Sequence, residues 1–341
     1  MEQKKYDLLT LGELLLRLSP PGNDRISTCN VFEKNLGGAE LNVAAGVSLL
    51  GLHTGMISRI PANSMGEYAK RQILSYGISD RYLAWDSTPE ARLGLYYYEY
   101  GAAPRKPQVV YDRKNTSMTR MQLSDFGPDL YDSTRCFHTS GITLALNENC
   151  RRVGMEMIKA FKEHGALISF DVNFRGNLWS GKEARECIEQ ILPYVDIFFC
   201  SESTAQLTFE KKGDVKSIMK SFTEEYPVSV VASTRRTVHS PKTHSFTSVI
   251  YNAKTDTYYQ EEPYNNIEVI DRIGSGDAYV AGALYGLLCR EGNCSNAVKF
   301  GNAYSAAKNT IPGDLSSMNL QDIRDIIEDH ENTGYQSEMK R

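Results

Sequence analysis

Residues 271–292 read DRIGSGDAYVAGALYGLLCREG. Two glycines and a serine directly precede Asp277, after which Ala278, Ala281, Gly282, Tyr285 and Cys289 recur at helical spacing. Asp277 therefore stands at or beside the first turn of a helix, where the leading backbone N–H groups have no acceptor inside the helix. Gly274 and Gly276 allow a sharp turn and a close approach, so the amides from Gly274 to Asp277 can converge on one anion. An acid beside a bound anion repels it, so simple anion binding does not explain Asp277. Two readings of the carboxylate stay open. It is an N-cap, the commonest role of Asp at a helix start, or it is a base. As a base it would take the proton of a hydroxyl attacking a phosphoryl group, while the amides meet the charge spreading over the phosphoryl oxygens.

Those groups need a scaffold, and the chain supplies an alternating one. From about residue 136 the apolar runs RCFHTSGI, ALISFDVN, DIFFCS and VSVVAST are separated by amphipathic stretches such as 149–164 and 183–192. That pattern predicts parallel strands with crossover helices. The stretch 40–50 places Leu41, Ala44, Ala45 and Leu49 at helical spacing, so the α/β pattern starts early. Two regions break it. Leu93–Tyr100 and Gln108–Arg113 read as strands joined through Gly101, Pro104 and Pro107, with Tyr96, Tyr98 and Tyr100 on one face. Residues 13–36 are similarly rich in strand formers and turn residues, and pair with that hairpin as a small sheet outside the main layer.

Composition narrows the function. The 341 residues suit one large α/β domain or two small ones. A formal charge of −4, with both signs mixed along the chain, leaves no basic stripe for nucleic acid. Seven widely spaced cysteines without a CxxC pair suit a reducing compartment rather than a disulfide framework. The N-terminal apolar run is broken by Gly12, Glu13 and Arg17, so it is neither a signal peptide nor a membrane span, and a cytoplasmic protein is expected. A second phosphate-like motif, GNLWSGKE at 176–183, is one residue short of the phosphate-binding loop and has Glu183 where a magnesium-holding hydroxyl belongs. It reads as a loop leading into a surface helix. His239 and His244 lack acidic or thiol partners at ligand spacing and are not expected to bind metal.

DRIGSGDAYVAG resembles the C-terminal signature of the ribokinase-like carbohydrate kinases, the phosphofructokinase B type, and LGGAELNVAAGVSLLGL at 36–52 resembles their N-terminal signature. The two motifs stand in the family's order, and the resemblance reaches to about residue 325. It implies a mostly parallel sheet with helices on both faces plus a small β lid. The kinase domain would span residues 1–330, with the lid from about 13–36 and 92–116, and a polar tail at 331–341. It also implies that Asp277 is the catalytic base, that Gly274, Ser275 and Gly276 form the anion hole, and that Gly37, Gly38 and Asn42 lie against the sugar. ATP and Mg2+ are the implied cofactors.

Within the family, GLYYYEY, VVYDRK, DVNFR and TIPGD are most similar to 2-keto-3-deoxygluconate kinases, whose substrate contacts correspond to Tyr96, Tyr111, Arg113 and Arg175. Alternation puts Tyr111 and Arg113 on one strand face, and Arg175 follows a strand end, where such sheets place their crevice. Two arginines suit a carboxylate, and a neutral sugar does not require them. The alternative for each Arg is a solvated ion pair, and for the tyrosines a packed interface. The implied reaction moves the γ-phosphate of ATP to a primary hydroxyl of 2-keto-3-deoxygluconate. A fructokinase or other neutral-sugar kinase, and a non-catalytic sugar-binding protein, are the competing readings.

The nucleotide side departs from the family. CSESTAQL has Ser201 and Thr204 where relatives carry Asn-x-x-Glu, leaving Glu202 to reach a metal through water. VVAST continues into RRTVHSPKTHSF instead of a Gly-rich turn, which makes Ser233 and Arg235, or Arg236, candidates for the ATP phosphates. By resemblance Ser201, Gly274 and Gly276 would touch the nucleotide and Asn302 would line the adenine pocket. Exposed apolar lid edges favour a homo-oligomer.

Overall fold

The computed structural model describes residues 4–332, so residues 333–341 of the expected polar tail lie outside the described residues. Its strands and helices are, in chain order, β1 (Tyr6–Leu11), β2 (Leu15–Ser19), β3 (Glu33–Gly37), α1 (Ala39–Leu49), β4 (Thr54–Pro61), α2 (Ser64–Ser75), β5 (Ser79–Asp86), β6 (Gly94–Glu99) and β7 (Gln108–Asp112). There follow β8 (Thr134–Ser140), α3 (Gly141–Ala145), α4 (Glu148–Glu163), β9 (Leu167–Asp171), α5 (Gly181–Ile191), β10 (Ile197–Phe199), α6 (Glu202–Phe209) and α7 (Val215–Glu225). The chain closes with β11 (Val230–Ser240), β12 (Thr243–Asn252), β13 (Thr257–Gln260), β14 (Tyr264–Glu268), α8 (Ser275–Leu288), α9 (Cys294–Lys308) and α10 (Leu320–Glu331).

Ten strands form one sheet in the order β13-β12-β11-β10-β9-β8-β1-β4-β5, with β14 also on β12. From β11 to β5 every pairing is parallel, and β12, β13 and β14 add an antiparallel edge. The four apolar runs picked out in the sequence are β8, β9, β10 and the start of β11, buried on both faces as parallel strands require. One face packs an apolar core that includes Val153, Phe161, Phe198 and Phe222. The other packs α1, α8 and α9 through residues such as Val43, Ala281, Leu284 and Tyr304. Helix α8 is buried almost all round, which explains its run of small apolar residues with no polar face.

The strand-rich stretches 13–36 and 92–116 supply a separate four-stranded sheet, β3-β2-β6-β7. Its outer pairings are antiparallel and its central one, β2 with β6, is parallel. Tyr96 and Tyr98 share a buried face with Leu15, against which Tyr100 and Ile273 pack, so this sheet touches the loop that opens α8. The stretch 176–183 leads into α5, where Ser180 and Glu183 form a reciprocal capping box. Glu183 thus serves a helix start and not a metal.

Residues 235–245 belong to the stretch that stands in place of a Gly-rich turn, and they are mostly strand. They continue β11 and β12 as a long antiparallel hairpin whose register runs from Val230 opposite Asn252 to Ser240 opposite Thr243. Among the described residues no helix is long and apolar enough to cross a membrane.

Candidate active site

Helix α8 starts from Gly274, whose φ of 79° is left-handed. A Cβ there would stand 2.2 Å from the carbonyl oxygen of Asp314, so the turn admits only glycine without a shift of backbone. Gly38 does the same at the start of α1, where a Cβ would lie 2.2 Å from the Glu13 carbonyl oxygen. These two helix starts face one another across a cleft made of two adjoining cavities of about 500 and 420 Å³. Ser275 and Gly276, together with Asp171, Asn173, Arg175 and Arg236, line both. Asp277 lines the first alone, alongside Gly38, Asn42 and residues of the small sheet.

The Asp277 carboxylate is held from two sides. Asn42 Nδ2 donates to Oδ2 at 2.7 Å, and Asn173 Nδ2 approaches Oδ1 at 3.4 Å. Burial raises its pKa, and the hydrogen bond from Asn42 and the charge of Arg175 work in the opposite direction. Asn42 Oδ1 is buried without a partner. It is a free acceptor in a wall of the first cavity. Beneath it Glu40 is fully enclosed, accepting from Ser140 Oγ and Thr143 Oγ1, each at 2.7 Å, and so tying α1 to α3. Burial raises the Glu40 pKa as well. Asp171, at the end of β9, accepts from the Asn173 amide at 3.0 Å. Burial, then the charge of Asp277, pushes it up to about 7.

The small sheet is fastened to this loop by an arginine that lies in β2. Arg17 is 0% exposed. Its guanidinium reaches Asp271 at 2.6 Å, Asp314 at 2.9 Å, Ser19 Oγ at 2.8 Å and the Tyr100 hydroxyl at 2.8 Å, and lies 4.5 Å from the centre of the Tyr98 ring. Burial opposes its charge, but Asp314 and Asp271 overcome that and hold its pKa above the ordinary value. The Tyr96 hydroxyl donates a short hydrogen bond to the other Asp314 oxygen. From the far side Lys308, also fully buried, donates to the carbonyls of Asp271 at 3.3 Å and Ile311 at 3.0 Å.

Of the residues singled out in the sequence, Gly38, Asn42, Tyr96, Tyr111, Arg113, Arg175, Gly274, Ser275, Gly276 and Asp277 come together in the first cavity, and Ser201 lines the second. Gly37 instead packs behind the wall, where a Cβ would strike the Asp314 carboxylate. Two placements change a residue's role. The Tyr96 hydroxyl is engaged by Asp314, so toward a ligand it offers its ring. Arg113 is paired with Glu13 through Nε at 3.0 Å and Nη2 at 2.5 Å, and Thr116 Oγ1 holds the second Glu13 oxygen at 2.6 Å.

Four nucleotide-side candidates lie outside the two cavities of the cleft. Alternation along the long β11 puts Ala232, Thr234 and Arg236 on the side of the cleft, so Ser233 and Arg235 line a separate cavity of about 130 Å³ that Glu202 also lines. Arg236, one residue further, is the arginine that faces the cleft. Asn302 accepts from Ser248 Oγ at 2.7 Å and donates to Glu261, just after β13, at 3.0 Å, and it lines neither cavity of the cleft. Glu202 likewise lines neither. Sequence reasoning missed Asp171, Asn173, Asp314 and Arg272, and named Arg236 only as the alternative to Arg235. For the first three the signal was present in DVNFR and TIPGD, quoted above only for their arginine or as a pattern.

Among the described residues no three His, Cys, Asp or Glu side chains converge as a metal cage. Asp171 is the carboxylate that lines both cavities, and as a single hard oxygen donor it would suit a magnesium ion that keeps its other ligands from water and phosphate.

An α/β sheet with a two-chambered cleft at its strand ends, divided by a helix start and an acid, defines a group-transfer enzyme with two small-molecule substrates. The chain belongs to the pfkB family of carbohydrate kinases, whose family model matches residues 6–319. It is 32% identical over 321 residues to the 2-dehydro-3-deoxygalactonokinase of Haloferax volcanii, covering 94% of this chain and 96% of that one. The crystal structure of 2-dehydro-3-deoxygluconokinase from Thermotoga maritima superposes with a TM-score of 0.90 at 28% identity, covering 96% of this chain and all of that one. An uncharacterised sugar kinase from Pyrococcus horikoshii, solved in complex with ATP, gives a TM-score of 0.74 at 25% identity over 94% of this chain and 99% of that one.

Proposed function

We infer that the protein transfers the γ-phosphate of ATP to the terminal hydroxyl of a 2-keto-3-deoxy aldonic acid of gluco or galacto configuration. The observation that carries this reading is the shared wall. Ser275 and Gly276 border both cavities, while Asp277 borders only the one enclosed by the small sheet. An acceptor hydroxyl in that cavity meets a carboxylate able to take its proton, and the donor phosphate on the other side meets the amides of Gly276 and Asp277 at the start of α8, the Ser275 amide being held by the Arg272 carbonyl. Asn42 and Asn173 fix the orientation of Asp277, and the unpartnered Asn42 Oδ1 is ready to accept from a sugar hydroxyl. Magnesium, carried in with the phosphates and facing Asp171, would offset their charge.

The acid character of the acceptor is supported by the activities named for the Haloferax and Thermotoga relatives and by Arg175, which lines the cleft and has no ion pair among the described residues. One observation favours a neutral sugar instead. Glu13 already neutralises Arg113, leaving that guanidinium with less charge to offer a carboxylate. The small sheet, closing the acceptor cavity through Tyr96 and Tyr111, would act as its lid.

Magnesium-dependent ATP turnover with a panel of both 2-keto-3-deoxy acids, fructose and ribose tests the assignment. One of the acids is expected to give the highest kcat/KM. Turnover best with a neutral sugar would move the protein to the competing reading, and absence of turnover with every sugar would end the proposal.

A further inference from the structure

Arg236 and Arg272 are not used in the reaction as described, yet both face the first cavity. Arg236 comes from the β11–β12 hairpin and borders the second cavity too. Arg272 comes from the turn before α8 and also borders a third cavity of about 650 Å³ beneath the small sheet. Neither guanidinium lies within ion-pair distance of a carboxylate among the described residues. The nearest acid in sequence, Asp271, is already held by Arg17. Arg272 Nε is buried with no hydrogen-bond partner. The two positive charges sense each other, since burial first and then the charge of Arg272 lower the Arg236 pKa. His244, buried on the same hairpin, is lowered by burial and then by both arginines. Arg236 is exposed in the cleft and Arg272 half-buried, and it is the buried, unmet Nε of Arg272, beside a second positive charge, that is costly without an acceptor. Of the other arginines in the acceptor cavity, Arg113 has its partner built in as Glu13, while Arg175 shares the lack of one among the described residues.

We propose that Arg236 and Arg272 form a clamp for an oxyanion at the junction of the two cavities, supplied either by the carboxylate of the acceptor or by the phosphoryl group in transfer. The proposal rests on the two-substrate reading of the cleft given above. Both sources present paired oxygens to a guanidinium, which is the geometry Arg holds by two charge-assisted hydrogen bonds. The pair also explains why the hairpin is long. A Gly-rich turn after Ser233 would end the strand before an arginine could reach the cleft.

The test uses the full chain with Arg236→Met, Arg272→Met, the double variant, Arg236→Lys, and Lys182→Met as a control at an exposed residue that lines neither cavity of the cleft. Thermal unfolding is followed without substrates in titrations of inorganic phosphate and of pyruvate, at constant ionic strength so that general screening is the same throughout. Wild type and Lys182→Met are expected to be stabilised by at least one probe. The gain should vanish in both single Met variants and survive in part in Arg236→Lys. Kinetics identify the source. If the clamp holds the acceptor carboxylate, KM for the acid sugar rises about 10-fold or more while its carboxylate-free counterpart is unaffected. If it holds the phosphoryl group, kcat falls by a similar factor with both acceptors. A double variant whose anion-dependent unfolding and kinetic constants all stay within about twofold of wild type overturns the clamp. A wild-type protein that is stabilised by the anions but phosphorylates only neutral sugars would overturn the acid-sugar assignment and leave the clamp standing.

Discussion

Every carboxylate that faces the acceptor cavity is held by donors of the protein itself: Glu13 by Arg113 and Thr116, Glu40 by Ser140 and Thr143, Asp171 by the Asn173 amide, Asp277 by Asn42, and Asp314 by Arg17 and Tyr96. Apart from the residues shared by both cavities, the polar groups along the nucleotide cavity are mostly short hydroxyls, with Ser201 and Thr204 bonded mainly to one another as a helix cap, beside the rings of Phe246 and Tyr279. The difference separates two ways of building a binding site. On the acceptor side geometry is fixed before the substrate arrives, which is what catalysis by positioning requires. On the nucleotide side little is fixed beyond the loop amides and the arginines, so the triphosphate must supply much of the order itself.

If chemistry is concentrated on the fixed side, removing its base has the largest effect. Asp277→Asn keeps the size of the side chain and removes the proton acceptor. kcat is expected to fall by about 10²- to 10⁴-fold, with KM for ATP and the unfolding temperature little changed. Steady-state turnover with saturating ATP and sugar measures this, and an unchanged kcat would remove Asp277 from the reaction.

Next comes the fastening of the small sheet. Arg17→Met leaves Asp271 and Asp314 buried without their counter-charge, so a loss of about 3–5 kcal/mol of folding stability is expected in urea denaturation. A loss below about 1 kcal/mol would mean that water reaches these carboxylates and that the acceptor side is less rigid than argued.

The third effect depends on pH. Asp171 is pushed from an ordinary carboxylate value up to about 7 in the folded chain, so between those values the folded state binds more protons than the unfolded one. Stability due to this group is full below the unfolded pKa and is lost as pH rises through the folded pKa. Asp171→Asn has no such proton to lose. Without ligands its unfolding temperature should match wild type near pH 4 and exceed it increasingly up to pH 8. A constant difference between the two proteins across that range would show that Asp171 titrates as an exposed acid.

The same contrast explains what could be read in advance. Asp277, Gly274 and Gly276 were legible because the chemistry of a helix start is local and needs no knowledge of the rest of the chain. The parallel core was legible because strands buried on both faces write continuous apolar runs. Arg17 was not, since its meaning lies in Asp314, 297 residues away, and in Asp271 and Tyr100, and a single arginine in an edge-like strand carries no signal of burial. Ser233 and Arg235 were misplaced by one residue because strand parity can be assigned only when the strand's length is known. The absence of a Gly-rich turn after Thr234 was legible, but not that the strand runs on as a hairpin and so presents Arg236 rather than Arg235 to the cleft. Asn302 lies away from the two cavities for a tertiary reason: Ser248 of β12 and Glu261, just after β13, hold its side-chain amide.

The smallest effect belongs to the less ordered side. Thr234 faces the nucleotide cavity from β11, level with Arg236 and Ala232. Replacing it by Val keeps shape and β preference and deletes one hydroxyl, whose net hydrogen bond to a ligand is worth about 0.5–1.5 kcal/mol. KM for ATP should therefore rise by about 2- to 10-fold, with kcat and KM for the sugar unchanged. A rise of about 100-fold or more, or an equal change in both Michaelis constants, would mean that the nucleotide wall is as tightly specified as the acceptor wall. The contrast between the two chambers would then belong to the empty cleft alone, and the hydroxyls of Ser201, Ser203 and Thr234 would have to be counted among the groups that align the phosphates for transfer.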